Sequence, residues 1–308
     1  MEEINIKDYL NTFSKDEPIY YIPNPGYAGD MLIACATFQV FNDLKIEYRV
    51  VNGETFDSKG KVVFYGGGGN LVSYYNYARK IIERIHQRAK RLVILPHTIS
   101  GNEGFLQNLG SNTDIICREQ VSFDHVKKFA CKTQVMLSCD MAFNLKVHDV
   151  ISRNGGSMQE AFFLETAYLF KKSKRHLPMP KQFNHFLKRE VKLFKLFEKS
   201  NKGLLRCFRM DGEKTDARLP VDNIDLSAIL AYGKTKEIIN YSIALLVSNQ
   251  MLRFINRYVK IETNRLHVAI AAALLGKDVF LYKNNYYKNE AVYEYSLGKQ
   301  FFNVHWRG

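Results

Sequence analysis

Cysteine is scarce in this chain and poorly placed for metal or redox work. Cys35, Cys117, Cys131, Cys139 and Cys207 are scattered, and none forms a C-x-x-C pair. An odd number cannot all pair within one chain, so the thiols read as reduced, and a zinc site built on them is not expected. Cys35 lies in an apolar segment and reads as a small core residue. No uninterrupted apolar run approaches the roughly 20 residues that cross a bilayer. The opening "MEEINIKDYL" carries two acidic residues and no basic and apolar leader pattern. A cytoplasmic, soluble protein is expected, with contact at the inner membrane face left open. There is no short-period repeat, no G-x-G-x-x-G and no P-loop. Negative charge is also in deficit. The 31 Asp and Glu face 44 Lys and Arg, a net charge of +13. That surplus implies an anionic partner or surface. No nucleic-acid-binding motif accompanies it, whereas phosphorylated substrates and anionic lipid head groups fit the charge.

What is present is enough material for two ordinary domains, 308 residues of which 46% are hydrophobic. "PIYYIPNPGYAGDMLIACATFQVF" reads strand, Gly-rich turn, helix. "IEYRVV", "KVVFYGGGGNL", "RLVILPHTIS", "TDIICRE" and "TQVMLSCDMAF" read as strands, with "NYARKIIERIHQRAK" and "QVSFDHVKKFA" as helices among them. After position 203, "GLLRCFRMDGE" and "KDVFLYK" read as strands, while "RLHVAIAAALLG" and "EAVYEYSLG" read as helices. Strands alternating with helices predict an α/β fold with parallel sheets and helical crossovers. We expect an N-terminal domain over 1–170, a basic connection over 171–202 and a C-terminal domain over 203–308. Within Lys171 to Lys199, "HFLKREVKLFKLFEK" places apolar residues near helical spacing among cations. That pattern predicts an amphipathic helix, lying either on an anionic membrane or solvated against its own domain.

Four places invite chemistry. Gly26 and Gly29 precede a helix whose first turn carries Asp30, and Gly66 to Gly69, with Gly67 and Gly68 at the centre, follow a strand. Glycines let backbone N–H groups approach a ligand, although tight turns with an acidic N-cap explain the first stretch equally well. Arg118 follows an apolar strand at the edge where α/β sheets bind ligands, or else pairs with a carboxylate such as Glu119. Arg265 and His267 open a buried helix, where cations are locally unfavourable unless an anion sits between them. Arginine supplies a planar fork and histidine a titratable proton. Lys288 follows a strand and a tyrosine-rich loop, and reads as a phosphate contact or as ordinary surface.

In this order the pieces resemble the polysaccharide pyruvyl transferase family, over roughly Tyr20 to Leu297. The resemblance rests on "GD" after the first strand, the glycine cluster, Arg118 with Ser122, "CDMAF" with Asp140, and the "RLH" box of Arg265, Leu266 and His267. There are departures. The usual asparagine is missing from "PGYAGD", Lys283 replaces an acidic residue, and Tyr287 replaces a glycine. The resemblance implies two Rossmann-like domains facing across a cleft, as in two-domain glycosyltransferases. It also implies transfer of a pyruvyl group from phosphoenolpyruvate to two hydroxyls of a sugar, without a required cofactor or metal. His267 would then be the general acid, with Arg118, Arg265, the Leu266 backbone and Lys288 on the donor. Asp30, Glu119 and Asp140 are candidates for the base, with Gly67 and Gly68 towards the acceptor. The acceptor would be a lipid-linked oligosaccharide or a nucleotide sugar. A sugar-nucleotide glycosyltransferase and a non-catalytic anion-binding or nucleic-acid-binding protein are the alternatives.

Overall fold

A computed structural model describes residues 3–13, 17–152, 191, 195–198, 203–215, 218–230 and 239–308. The basic segment in which an amphipathic helix is expected falls almost wholly outside these residues. The first half is built on a parallel sheet: β1 (Ile19–Ile22), β2 (Tyr48–Val50), β3 (Val62–Tyr65), β4 (Gly68–Leu71), β5 (Arg91–Ile99), β6 (Thr113–Cys117) and β7 (Gln134–Leu137). The strand order is β2-β1-β3-β5-β6-β7, with β4 also pairing β5. A parallel sheet must be covered on both faces. Helices α1 (Ile6–Asn11), α2 (Ala28–Asp43), α3 (Tyr77–His86), α4 (Glu103–Gln107), α5 (Gln120–Phe129) and α6 (Val147–Ser152) accompany it. α3 shows the amphipathic spacing: Ala78, Ile81, Ile82 and Ile85 are buried while charged residues face out.

The second half carries a smaller parallel sheet. Its strands β8 (Leu204–Cys207), β9 (Lys260–Thr263), β10 (Asp278–Leu281) and β11 (Val304–Trp306) lie side by side in sequence order. With them come α7 (Leu226–Ile229), α8 (Tyr241–Ile255), α9 (Leu266–Leu274) and α10 (Lys288–Val292). The expected α/β fold with parallel sheets is what the chain adopts. α9 ends as its sequence dictates: Gly276, at φ 68°, takes the left-handed position that closes a helix.

One apolar cluster ties the halves together. Leu32 and Phe38 of α2, Val247 and Met251 of α8 and Ile270 of α9 belong to it. This explains why α2 is buried on nearly every face rather than along one stripe. It packs on its own sheet on one side and against α8 on the other. The result is that the carboxyl ends of strands from both sheets border a common cavity. In open α/β sheets those ends carry the ligand sites.

Candidate active site

The cavity measures about 400 Å³, within the ordinary range for a small-molecule site. Strands of both sheets deliver residues to it at or beyond their carboxyl ends. Tyr27, Gly29 and Asp30 come from the β1–α2 turn, Gly69 from β4, and Arg118 from the residue after β6. From the second sheet come Arg209 and Glu213 after β8, Arg265 and His267 after β9, and Lys288 at the start of α10.

Arg118 is 1% exposed. Its Nε donates to Thr98 Oγ1 at 2.8 Å and its Nη1 to Asp140 Oδ2 at 2.6 Å. Asp140 is itself buried and caps a 3-10 turn, accepting from Ala142 N at 2.8 Å. His267 Nε2 lies 3.3 Å from the same Asp140 oxygen and 3.5 Å from Arg118 Nη1. Nε2 therefore has a partner in either state: protonated, it donates to the carboxylate; neutral, it accepts from the guanidinium. Burial alone would raise the Asp140 pKa. The His267 charge and hydrogen bond, with Arg118, override this and hold the carboxyl below its ordinary range.

Gly29 and Gly69 permit these approaches. A methyl on Gly29 would stand 2.6 Å from His267 Nδ1, and one on Gly69 would stand 2.7 Å from Arg118 Nη2. Asp30 both caps α2, accepting from Tyr27 N at 2.9 Å, and lines the cavity. Burial raises its pKa, with His267 opposing.

The second half contributes a linked set of ion pairs. Arg265 gives Nε and Nη2 to Asp225, at 3.0 and 2.6 Å, and Nη1 to Asp211 at 3.0 Å. Its guanidinium also lies over the Tyr27 ring, at 5.1 Å from the centroid. Arg209 pairs with Asp211 and Glu213. Lys288 Nζ donates to Glu213 Oε2 at 2.5 Å. Burial lowers the Lys288 pKa to about 8, with Glu213 opposing and Arg209 and Arg118 adding to the shift. Lys288 is held from the first half as well: the neighbouring Tyr287 hydroxyl donates to Ile99 O at 3.2 Å and lies 3.4 Å from Ser122 Oγ.

Of the residues singled out in the sequence, Arg118, Arg265, Leu266, His267, Lys288 and Asp30 border this cavity. Gly67 and Gly68 do not, and their neighbour Gly69 does. Gly67 packs instead against the Pro96 backbone, and Gly68, at φ 152°, against Asn24. Asp140 stands behind the cavity rather than on it, and Glu119 caps α5 by accepting from Ser122 N at 2.8 Å. An asparagine does stand beside the first turn, just upstream of it. Asn24 accepts from Tyr65 Oη at 2.9 Å and Asn70 Nδ2 at 2.8 Å, and its amide lies 3.4 Å from Asp30. Arg209 and Glu213 were not singled out. They sit in a loop with no motif, and "RMDGE" offered only alternating charge as a signal. Among the described residues no group of three or more His, Cys, Asp or Glu is arranged to hold a metal ion. No helix among them is long and apolar enough to cross a membrane.

Facing sheet edges, a ring of paired cations and a histidine between two charged partners mark a ligand cleft of an α/β fold. The comparisons with known proteins say which kind. The chain belongs to the polysaccharide pyruvyl transferase family, whose model matches residues 28–286. It is 26% identical over 298 residues to a Bacillus subtilis (strain 168) protein named "Putative pyruvyl transferase EpsO", covering 91% of this chain and 85% of that one. It is also similar to the crystal structure of a functionally uncharacterized protein from Klebsiella pneumoniae subsp. pneumoniae NTUH-K2044. That match has a TM-score of 0.72 and 28% identity, and covers 98% of this chain and 96% of the other. Membership of the family makes the protein a transferase of pyruvyl groups in polysaccharide synthesis.

Proposed function

We propose that the donor is phosphoenolpyruvate and that the product is a cyclic ketal across two hydroxyls of one sugar. The observation that carries this reading is the meeting of Arg118, His267 and Lys288, from three distant segments, around one small cavity. His267 acts as the general acid, giving its proton to the donor's methylene carbon, which becomes a methyl group. The central carbon turns electrophilic and one sugar hydroxyl adds to it. The second hydroxyl then displaces phosphate by breaking the C–O bond. Two hydroxyl protons are lost, one is gained by carbon, and one leaves with phosphate or solvent.

Asp140 orients the imidazole through its contact with Nε2. Arg118, rigidly held, grips the carboxylate or phosphate of the donor, and Lys288 supports the leaving phosphate. Arg265 already carries two carboxylates, so its share is to fix the helix start and stack on Tyr27 as much as to touch the donor. Asp30 lines the cavity with a raised pKa and is the base for the sugar hydroxyl.

The test is phosphate release from phosphoenolpyruvate in the presence of candidate sugar acceptors. His267→Ala is expected to lose about 100- to 10,000-fold in turnover while retaining donor binding. Near-normal phosphate release by His267→Ala overturns the assignment. Release of a nucleotide instead of phosphate identifies a glycosyl transfer.

A further inference from the structure

A second cavity, of about 1060 Å³, opens at the carboxyl ends of β8, β9 and β10. Its wall is shared with the first. Asn264 lines the second cavity and Arg265 the first; Gly212 and Lys214 line the second, and Glu213 between them lines the first. Neighbouring Cα atoms are about 3.8 Å apart, so the two spaces are separated by little more than one residue.

The chemistry of the second cavity differs from that of the first. Lys214, Arg218 and Lys283 line it, and none of the three forms an ion pair among the described residues. All three are exposed. In the first cavity, by contrast, Arg118, Arg209, Arg265 and Lys288 are each already bound to a carboxylate. Phe208 and Tyr282 form an aromatic pair on the same lining, with ring centroids 5.2 Å apart. Asn284, 4% exposed, also lines this cavity, and its Oδ1 is buried with no hydrogen-bond partner. A buried amide oxygen without a donor is costly unless a ligand supplies one. Three exposed cations with no ion pair among the described residues, an aromatic pair and a waiting acceptor suit a molecule with anionic oxygens at one end and hydroxyls at the other.

We propose that this second cavity binds the phosphate or diphosphate of a phosphorylated saccharide, and that this saccharide is the acceptor. The proposal rests on the pyruvyl-transfer reading given above and extends it to the acceptor. Lys214, Arg218 and Lys283 take the phosphate oxygens, Asn284 accepts from a hydroxyl, and the sugar is thereby placed beside the donor cavity. The same chemistry belongs to a nucleoside-diphosphate sugar and to a sugar on a lipid diphosphate. A free, unphosphorylated glycan lacks it.

Two measurements test it. The first is calorimetric binding of inorganic pyrophosphate to the full chain and to a Lys214→Ala, Arg218→Ala, Lys283→Ala variant. Because the three side chains are exposed, the variant is expected to fold. It should bind pyrophosphate at least about tenfold more weakly, on the scale of about 1.5 kcal/mol for one lost charged hydrogen bond. Equal binding by both proteins overturns the proposal, whatever the enzyme's reaction proves to be. The second is phosphate release from phosphoenolpyruvate with one saccharide presented free, as a nucleoside-diphosphate sugar and on a polyprenyl diphosphate in detergent. The acceptor KM should rise at least about tenfold in the variant for whichever phosphorylated form is used, with the donor KM unchanged. Turnover that is equally fast with the free saccharide refutes the proposal. Pyrophosphate binding without any turnover of phosphoenolpyruvate leaves the site standing and instead refutes the donor assigned above.

Discussion

Replacing Gly69 by alanine bears chiefly on the placement of Arg118, and to a smaller degree on Lys288. The new methyl would lie 2.7 Å from Arg118 Nη2 and 3.3 Å from Lys288 Cδ. Comfortable contact between such atoms begins near 3.5 Å, so the guanidinium must retreat by about 0.8 Å. It has nowhere easy to go. Thr98 holds Nε at 2.8 Å, Asp140 holds Nη1 at 2.6 Å, and the side chain is sealed from solvent. Gly69 does not occupy a left-handed conformation, so the backbone itself accepts alanine without strain. The penalty therefore falls on the buried guanidinium, costing both the orientation of the donor-binding group and about 1–3 kcal/mol of overpacking. Displacing a positioned group by about 1 Å costs on the order of 100-fold in rate. Steady-state phosphate release should show kcat/KM for phosphoenolpyruvate falling by about that factor, alongside a lowered melting temperature from the overpacking. Gly104→Ala is the control. It lies in α4 with no atom within 4 Å of the added methyl, and should leave the kinetics as they are. Wild-type kcat/KM in Gly69→Ala would refute the role given to Arg118.

Lys288 loses its charge as pH rises through about 8. Donor kcat/KM, which reports free-enzyme groups, should therefore fall above that pH, and Lys288→Arg should flatten the limb; an unchanged limb assigns it to another group. For Asp140, whose folded pKa lies below its ordinary value, the stabilisation is full above the ordinary carboxylate range and is lost as pH falls towards the folded value. Asp140→Asn should cost about 3–5 kcal/mol near neutrality by leaving Arg118 unpaired, and should flatten the acid limb of a thermal-melt series; parallel wild-type and variant curves would contradict the pairing. Tyr287→Phe removes the hydroxyl that ties the Lys288 loop to Ile99. A loss of about 1 kcal/mol should raise the donor KM roughly fivefold, and an unchanged KM would show that the tie does not position Lys288.

The residues legible in the sequence were those tied to regular structure. Arg118 was placed because "TDIIC" is an unbroken β pattern that must end at it, and His267 because a run of Ala, Ile and Leu leaves the helix start as the only polar position. Lys288 was visible as the first cation after β10 and its polar loop. Glu213 was not legible, because its role comes from partners far along the chain, Tyr75, Lys288 and Asn284; Arg209 pairs with the nearby Asp211 and Glu213, a local charge pattern that does not by itself point to a cavity. The glycine cluster was seen as a whole, but sequence carries no register telling which glycine faces the cleft. That is decided by β4 pairing β5 with a shift between Gly68 and Leu71. Asn24 was not legible because it lies two residues past β1, and its ties to Tyr65 and Asn70 form only when β3 and β4 are brought alongside.

The contrast between the buried cations of the first cavity and the exposed cations of the second bears on how the protein should respond to its ionic surroundings. In the first cavity four cations face Asp140, Asp211, Asp225 and Glu213, all largely withdrawn from solvent. Such a neutral, buried assembly gathers no cloud of mobile counterions, so a ligand entering it displaces few. Lys214, Arg218 and Lys283 stand in solvent, where added ions compete directly for them within a Debye length of about 8 Å at physiological strength. Rising salt should accordingly weaken the grip on the acceptor while leaving the grip on the donor almost untouched, so that ionic strength alone separates the two cavities kinetically.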